Sequence, residues 1–178
     1  GLLSLQDSGD LFDLDRLKEI CYNEKYIAKL ELNLLKAFKR AREDLFEGSS
    51  NSAKFKLKKN VIEEIKTIQR NDIPRYLAHR YRYEIYPQTN ELDQYPPYLQ
   101  IEPSSVCNFR CVFCYQTDLD FTRKSNGFMG KMTVELFKDI IDQVETNVEF
   151  ISLASRGEPL LCPKIDQMLE YTINKFLI

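Results

Sequence analysis

Cys107, Cys111 and Cys114 fall four and three residues apart in one short stretch, Cys107-Asn108-Phe109-Arg110-Cys111-Val112-Phe113-Cys114-Tyr115. Thiols this crowded suit a metal better than a disulfide framework, because the chain has five cysteines and three of them sit together. Two metals compete for the pattern. Structural zinc usually takes four protein ligands, often as paired C-x-x-C knuckles. Here Cys111 and Cys114 form the one such pair, the single histidine, His79, lies well upstream, and Cys162 or Cys21 would have to supply a fourth ligand. An iron–sulfur cubane fits three clustered thiolates and one open iron more naturally, although common ferredoxin-type sites use four cysteines. The spacing favours iron–sulfur and leaves zinc open.

The flanking sequence must place that loop. Tyr98 to Glu102 reads as a strand ended by Pro103, so the cysteines would leave its carboxyl end and lead into a short helix. Phe121 to Gly130 is polar and loop-like. Thr133 then caps a helix carrying Val134, Phe137, Ile140, Ile141 and Val144 on its apolar side. Phe150 to Ala154 is a second strand, apolar at nearly every position, as expected when both faces are covered. After a loop, Ser155 to Leu161, Pro163 opens a helix with Ile165, Met168, Leu169 and Ile173 inward, and Phe176-Leu177-Ile178 starts a third strand. The order predicts an α/β fold with parallel pairing and right-handed crossovers: an incomplete (β/α) partial TIM-type barrel of two strand–helix units and the start of a third strand. Such a sheet is unfinished, and its exposed edge would invite association. The expectation is that the protein continues beyond Ile178 or that a partner covers the edge.

Upstream, residues 1–97 read as a helical accessory region and connector, distinct from residues 98–178. Asp13 to about Glu47 carries a helical stripe of Leu17, Ile20, Ile27, Leu34, Phe38, Ala41 and Leu45, capped by Asp13 and closed at Gly48. Glu24 and Glu31 interrupt the stripe and argue against a long coiled coil. A polar linker, Gly48 to Ser52, leads to a second helix over Ala53 to Gln69, so an antiparallel hairpin is expected. Asp72 to Glu84 predicts a third helix with Pro74 in its first turn, and an extended connector covers Tyr86 to Pro97. From Lys54 to Arg82 basic residues outnumber acidic ones, and Tyr76, Tyr81 and Tyr83 interleave with Arg75, Arg80 and Arg82. That could contact RNA, but a solvated helix face with packed tyrosines explains it more simply.

Totals exclude several classes. With 178 residues and a net charge of −2, nothing in the sums points to nucleic acid or membrane, and no apolar run approaches a membrane span. The start lacks the charged lead and long apolar core of a secretory signal, and its first residue is not Met, so the chain reads as part of something longer. Clustered free thiols favour a reducing compartment, hence a cytoplasmic location.

The C-x-x-x-C-x-x-C pattern after a first strand, with the aromatic Phe113 before the last cysteine, resembles the signature of the radical S-adenosylmethionine (radical SAM) family. Ser155-Arg156-Gly157-Glu158-Pro159-Leu160-Leu161, after the second strand, resembles that family's glycine–glycine–glutamate–proline segment. The resemblance covers about Tyr98 to Ile178. It implies that Cys107, Cys111 and Cys114 bind a [4Fe–4S] cluster whose open iron is chelated by SAM. It further implies that Glu158 meets the SAM ammonium, that Gly157 permits close backbone approach, and that the backbone at Phe113 meets the adenine. Arg156 departs from the pattern, standing where the first glycine would be; it is counted with Phe113, Gly157 and Glu158 among the cofactor-binding candidates, and either reaches a carboxylate or faces solvent. Arg110 either offsets cluster charge or faces water. Cys162 and Cys21 read as buried residues.

The implied function is a radical SAM enzyme that generates a 5′-deoxyadenosyl radical for hydrogen abstraction from an unidentified substrate, a small molecule, peptide or RNA. An external electron donor such as flavodoxin or ferredoxin would reduce the cluster. Residues 1–178 alone are expected not to turn over substrate. The alternatives are a tRNA-modifying radical SAM enzyme and a non-catalytic zinc-binding interaction module.

Overall fold

Helix-forming sequence fills most of the chain, and the computed structural model is 55% helix against 5% strand. It describes residues 13–49, 53–145, 147–173 and 175–176. Contacts divide the chain into two units, Gly1–Leu92 and Asp93–Ile178.

In the first unit the predicted long helix is broken into α1 (Leu14–Tyr22), α2 (Glu24–Ile27) and α3 (Leu32–Arg42). The interruptions of the apolar stripe lie at the breaks. Asn23 takes an extended backbone and caps α2 by accepting from the Lys25 N–H, and Glu31 is extended ahead of α3. Asp13 does cap α1, accepting from the Arg16 N–H at 2.8 Å. After α3 a π-helical turn over Glu43–Glu47 ends at Gly48, whose φ of 75° suits glycine. The second helix, α4 (Lys59–Thr67), is shorter than expected. The third, α5 (Ile73–Thr89), runs five residues beyond Glu84 and through Pro87 before Asn90 stops it in the left-handed region. Proline removes one helical N–H, but Gln88 and Thr89 side chains donate back to the Glu84 and Ile85 carbonyls in the same turn.

The expected hairpin of the first two helices gives way to packing of α3 on α5. Ala37, Phe38 and Ala41 bury the α3 face, and Tyr76, Leu77, Tyr81 and Ile85 bury that of α5. Small alanines let the helices approach while the aromatics supply the apolar area, each fully buried large side chain stabilising by roughly 2 kcal/mol.

In the second unit β1 (Tyr98–Gln100) is followed by a long, mostly irregular segment with a 3-10 turn at Tyr115–Thr117, a four-residue helix, α6 (Leu119–Thr122), a 3-10 turn at Lys124–Asn126 and an isolated antiparallel bridge between Ser104 and Lys131. Then come α7 (Val134–Val144), β2 (Phe150–Ser152) and α8 (Ile165–Thr172). Thr133 caps α7, accepting from the Leu136 N–H. The strands pair in parallel, Tyr98 opposite Phe150 and Gln100 opposite Ser152. Ile101, Val134, Phe137, Ile141, Cys162 and Met168 form the buried cluster behind them.

The partial TIM-type barrel is not what the chain forms. Two parallel strands of three residues each make the whole sheet among the described residues. Leu153 and Ala154 leave the ladder, and Leu169 and Ile173, expected inward, are exposed. So short a pair defines no barrel curvature. The expected third strand falls on Phe176, which lies in a bend, and on Leu177 and Ile178, which lie outside the described residues. No described helix is long and apolar enough to cross a membrane.

Candidate functional site

Because β1 and β2 run parallel, the loops leaving them start side by side. Their junction is laced beyond the strands. Ile101 N–H donates to the Ser152 carbonyl at 2.8 Å, and the Gln100 amide donates to the Ala154 carbonyl at 2.6 Å. Three consecutive residues of the second loop then meet alternate residues of the first. Arg156 meets Glu102, Gly157 meets Ser104, and Glu158 meets Val106.

Glu102 binds Arg156 twice. One carboxylate oxygen accepts the Arg156 backbone N–H at 3.1 Å, and the other pairs with the guanidinium at 3.0 Å. The same guanidinium nitrogen, Nη2, donates to the Phe128 carbonyl at 2.7 Å. The carboxylate that Arg156 reaches here is that of Glu102. Gly157 lies against backbone: a Cβ there would sit 1.7 Å from the Ser104 carbonyl oxygen and 2.6 Å from its carbon. The close approach that requires this glycine is therefore made by the Ser104–Ser105 backbone. Glu158 N–H donates to the Val106 carbonyl at 2.9 Å, and its carboxylate accepts from Leu160 N–H at 3.0 Å, capping the 3-10 turn Pro159–Leu161.

A third segment braces the same point. Met132 N–H donates to the Pro103 carbonyl at 2.8 Å, and Ser105 exchanges hydrogen bonds with Gly130, its N–H donating to the Gly130 carbonyl at 3.1 Å. At the far end of the cysteine loop the buried Gln116 amide donates back to the Ser105 carbonyl at 2.7 Å. The loop is thus fixed at both ends, by Glu158 on Val106 and by Gln116 on Ser105. Ser104, Ser105, Glu102 and Gln116 carry no signal in the cysteine spacing. Two serines before a cysteine and a glutamine after one are ordinary loop residues, and only their contacts mark them.

Between those anchors the three thiols are free; Cys107 and Cys114 are half-buried and Cys111 is exposed. Cys114 N–H closes a turn onto the Cys111 carbonyl at 2.9 Å, and Phe109 N–H points at the Cys107 sulfur at 3.4 Å. Arg110 faces water, its guanidinium donating to the neighbouring Phe109 carbonyl. The apolar side chains of the loop face water too: Val112 is 95% exposed and Phe113 90%. The donor set fits an iron–sulfur cluster in kind, with three unpaired thiols on one anchored loop. It is not gathered, since among the described residues no three His, Cys, Asp or Glu side chains come together as a metal site.

The other two cysteines make poor ligands. Cys21 is fully buried on α1, and burial pushes its thiol up to about 12. Cys162 sits in the apolar cluster with its thiol raised by burial, donating weakly to the Met132 carbonyl. His79 is buried on α5. A zinc site completed by Cys162 would have to draw it out of the core.

Beside the laced loops lies an open cleft of about 300 Å³, lined by Glu102, Ser105, Phe128, Met132, Leu136 and Arg156. The larger cavity of about 480 Å³ belongs to the first unit, between Asp13, Arg16, Tyr26 and Arg70, and touches neither motif. Part of the basic stretch upstream is structural, while Lys54, Lys56, Lys59 and Arg70 are exposed. Tyr76, Tyr81 and Arg82 are buried, Lys58 and Arg80 both pair with Glu84, and Lys66 pairs with Glu63. Of the three tyrosines only Tyr83 is exposed, which leaves no aromatic row for bases to stack on.

No protein-family model matches the chain, and no curated protein or solved structure matches it.

Proposed function

We propose that the protein binds a [4Fe–4S] cluster through Cys107, Cys111 and Cys114 and SAM beside it, and works as a radical SAM enzyme. One observation carries the reading. Two segments some fifty residues apart, each resembling a radical SAM motif, are joined by direct contact, Glu158 N–H to the Val106 carbonyl, one residue before the first cysteine. Nothing in the cysteine spacing requires that meeting.

The chain's own residues would divide the work. The three thiols hold iron and leave one iron for the cofactor. Val112 and Phe113, exposed on the same loop, offer an apolar wall that a bound adenine would cover, with the Phe113 backbone presenting hydrogen-bonding groups at its edge. Glu158, whose backbone is tied to Val106, would turn its carboxylate from the Leu160 N–H it now caps to a cationic ammonium, which charge-assisted hydrogen bonds stabilise. When bound and reduced, the cluster with SAM supplies a 5′-deoxyadenosyl radical for hydrogen abstraction. A reducing compartment and a soluble electron donor of the flavodoxin or ferredoxin type belong to the same proposal.

Anaerobic reconstitution with iron and sulfide tests it. About four irons per chain are expected, with visible absorption lost in Cys111→Ala. One tightly bound zinc and no iron would establish the interaction-module alternative instead.

A further inference from the structure

We infer that Arg156 is a positioning residue which, clamped on Glu102, sets the register between the cysteine loop and Glu158. The inference rests on the radical SAM reading and deepens it, because it concerns the one position where this chain departs from the motif it resembles. Three observations carry it. Arg156 uses two separate groups on one carboxylate, its backbone N–H on one oxygen of Glu102 and its guanidinium on the other, so both the chain and the side chain are held. The pair is three-quarters shielded, with side chains 24% and 28% exposed, so the contact is stronger than a fully solvated ion pair. The guanidinium also donates to the Phe128 carbonyl, tying the segment ahead of α7 to the same point.

The clamp lies directly upstream of the residues it governs. Gly157 and Glu158 follow Arg156, and Glu102 precedes the Ser104–Val106 backbone on which they rest. If the pair slips, the 156–158 segment keeps the Phe128 bond, the Gly157 contact and the Glu158–Val106 hydrogen bond but loses its tie to Glu102, and the Glu158 carboxylate shifts relative to Cys107. A glycine at 156 would keep the backbone N–H bond and lose the guanidinium's two. Side chains that orient ligand-bearing groups in this way typically change affinity by about 10- to 100-fold when removed.

The test compares Arg156→Gly, Arg156→Lys and Glu102→Gln with the unaltered whole protein, each reconstituted anaerobically. Iron content, thermal midpoint and equilibrium SAM binding are the readouts. Arg156→Gly and Glu102→Gln are expected to keep iron content and weaken SAM binding about tenfold or more, while Arg156→Lys, which retains the charge, recovers most of the affinity. Unchanged SAM affinity in both Arg156→Gly and Glu102→Gln overturns the inference and leaves the cofactor assignment standing. Equal losses of SAM binding in all three, tracking a lower thermal midpoint, also overturn it, since the pair then serves folding alone. An unaltered protein that takes up no iron removes the reading and the inference together.

Discussion

Gly157 shows how little room the junction leaves. Its absent side chain is replaced by the Ser104 carbonyl, which is backbone and cannot rotate away. Gly157→Ala is therefore expected to destabilise the second unit by about 3 kcal/mol, near the upper end for overpacking, read as a lowered denaturant midpoint. A loss below about 0.5 kcal/mol would show that the two loops do not meet there. The five cysteines make a second residue-scale test. Burial holds Cys21 and Cys162 as neutral thiols, whereas Cys111 is open to solvent. With metal chelated away, brief alkylation of the native protein and peptide mapping should label Cys111 first, and Cys21 and Cys162 only after unfolding. Early labelling of Cys162 would return it to the list of candidate ligands. The motif residues were legible in the sequence because their spacing is local. Their anchors were not: Glu102, Ser105 and Gln116 act through contacts that no spacing encodes.

At the scale of elements, Arg40 on α3 reaches past the end of α5. Its guanidinium binds both oxygens of Glu91, at 2.6 and 2.7 Å, while stacking over Tyr81 and Tyr86. The hydrogen bonds from Arg40 hold the Glu91 carboxyl down at about 2, against 4.5 ordinarily. A carboxyl lowered in the folded state contributes stability above its unfolded value and loses it as pH falls through the folded one. The contribution should thus be whole above pH 4.5 and fade toward pH 2. Because both partners are partly solvated, Glu91→Gln is expected to cost only about 1 kcal/mol at neutral pH and nothing at the acid end. Chemical denaturation across that range checks it, and a loss independent of pH would point to packing instead. Helix identity and the caps at Asp13, Gly48 and Thr133 were readable from periodicity and residue type. Breaks and lengths were not, because they depend on partners: α5 continues through Pro87 on bonds from Gln88 and Thr89, and α3 packs on α5 across the sequence rather than on its neighbour α4.

For the molecule as a whole, two units with separate cores follow from the change of pattern near the prolines at 96 and 97, from helical stripes to strand-like runs. The barrel expectation misled for a physical reason. Apolar runs such as Phe150 to Ala154 signal burial, and burial does not set strand length: three residues on each side form the parallel ladder. What persists is local: one parallel pair whose carboxyl ends bring the cysteine loop and the Arg156–Glu158 segment together. The junction is proposed to hold a cluster with a site for SAM, and electron paramagnetic resonance of the reconstituted, dithionite-reduced protein is the decisive measurement. A reduced [4Fe–4S] signal that changes shape when SAM is added, and that Cys111→Ala abolishes, is the predicted result. A signal indifferent to SAM, or bound zinc with no iron signal at all, would contradict it.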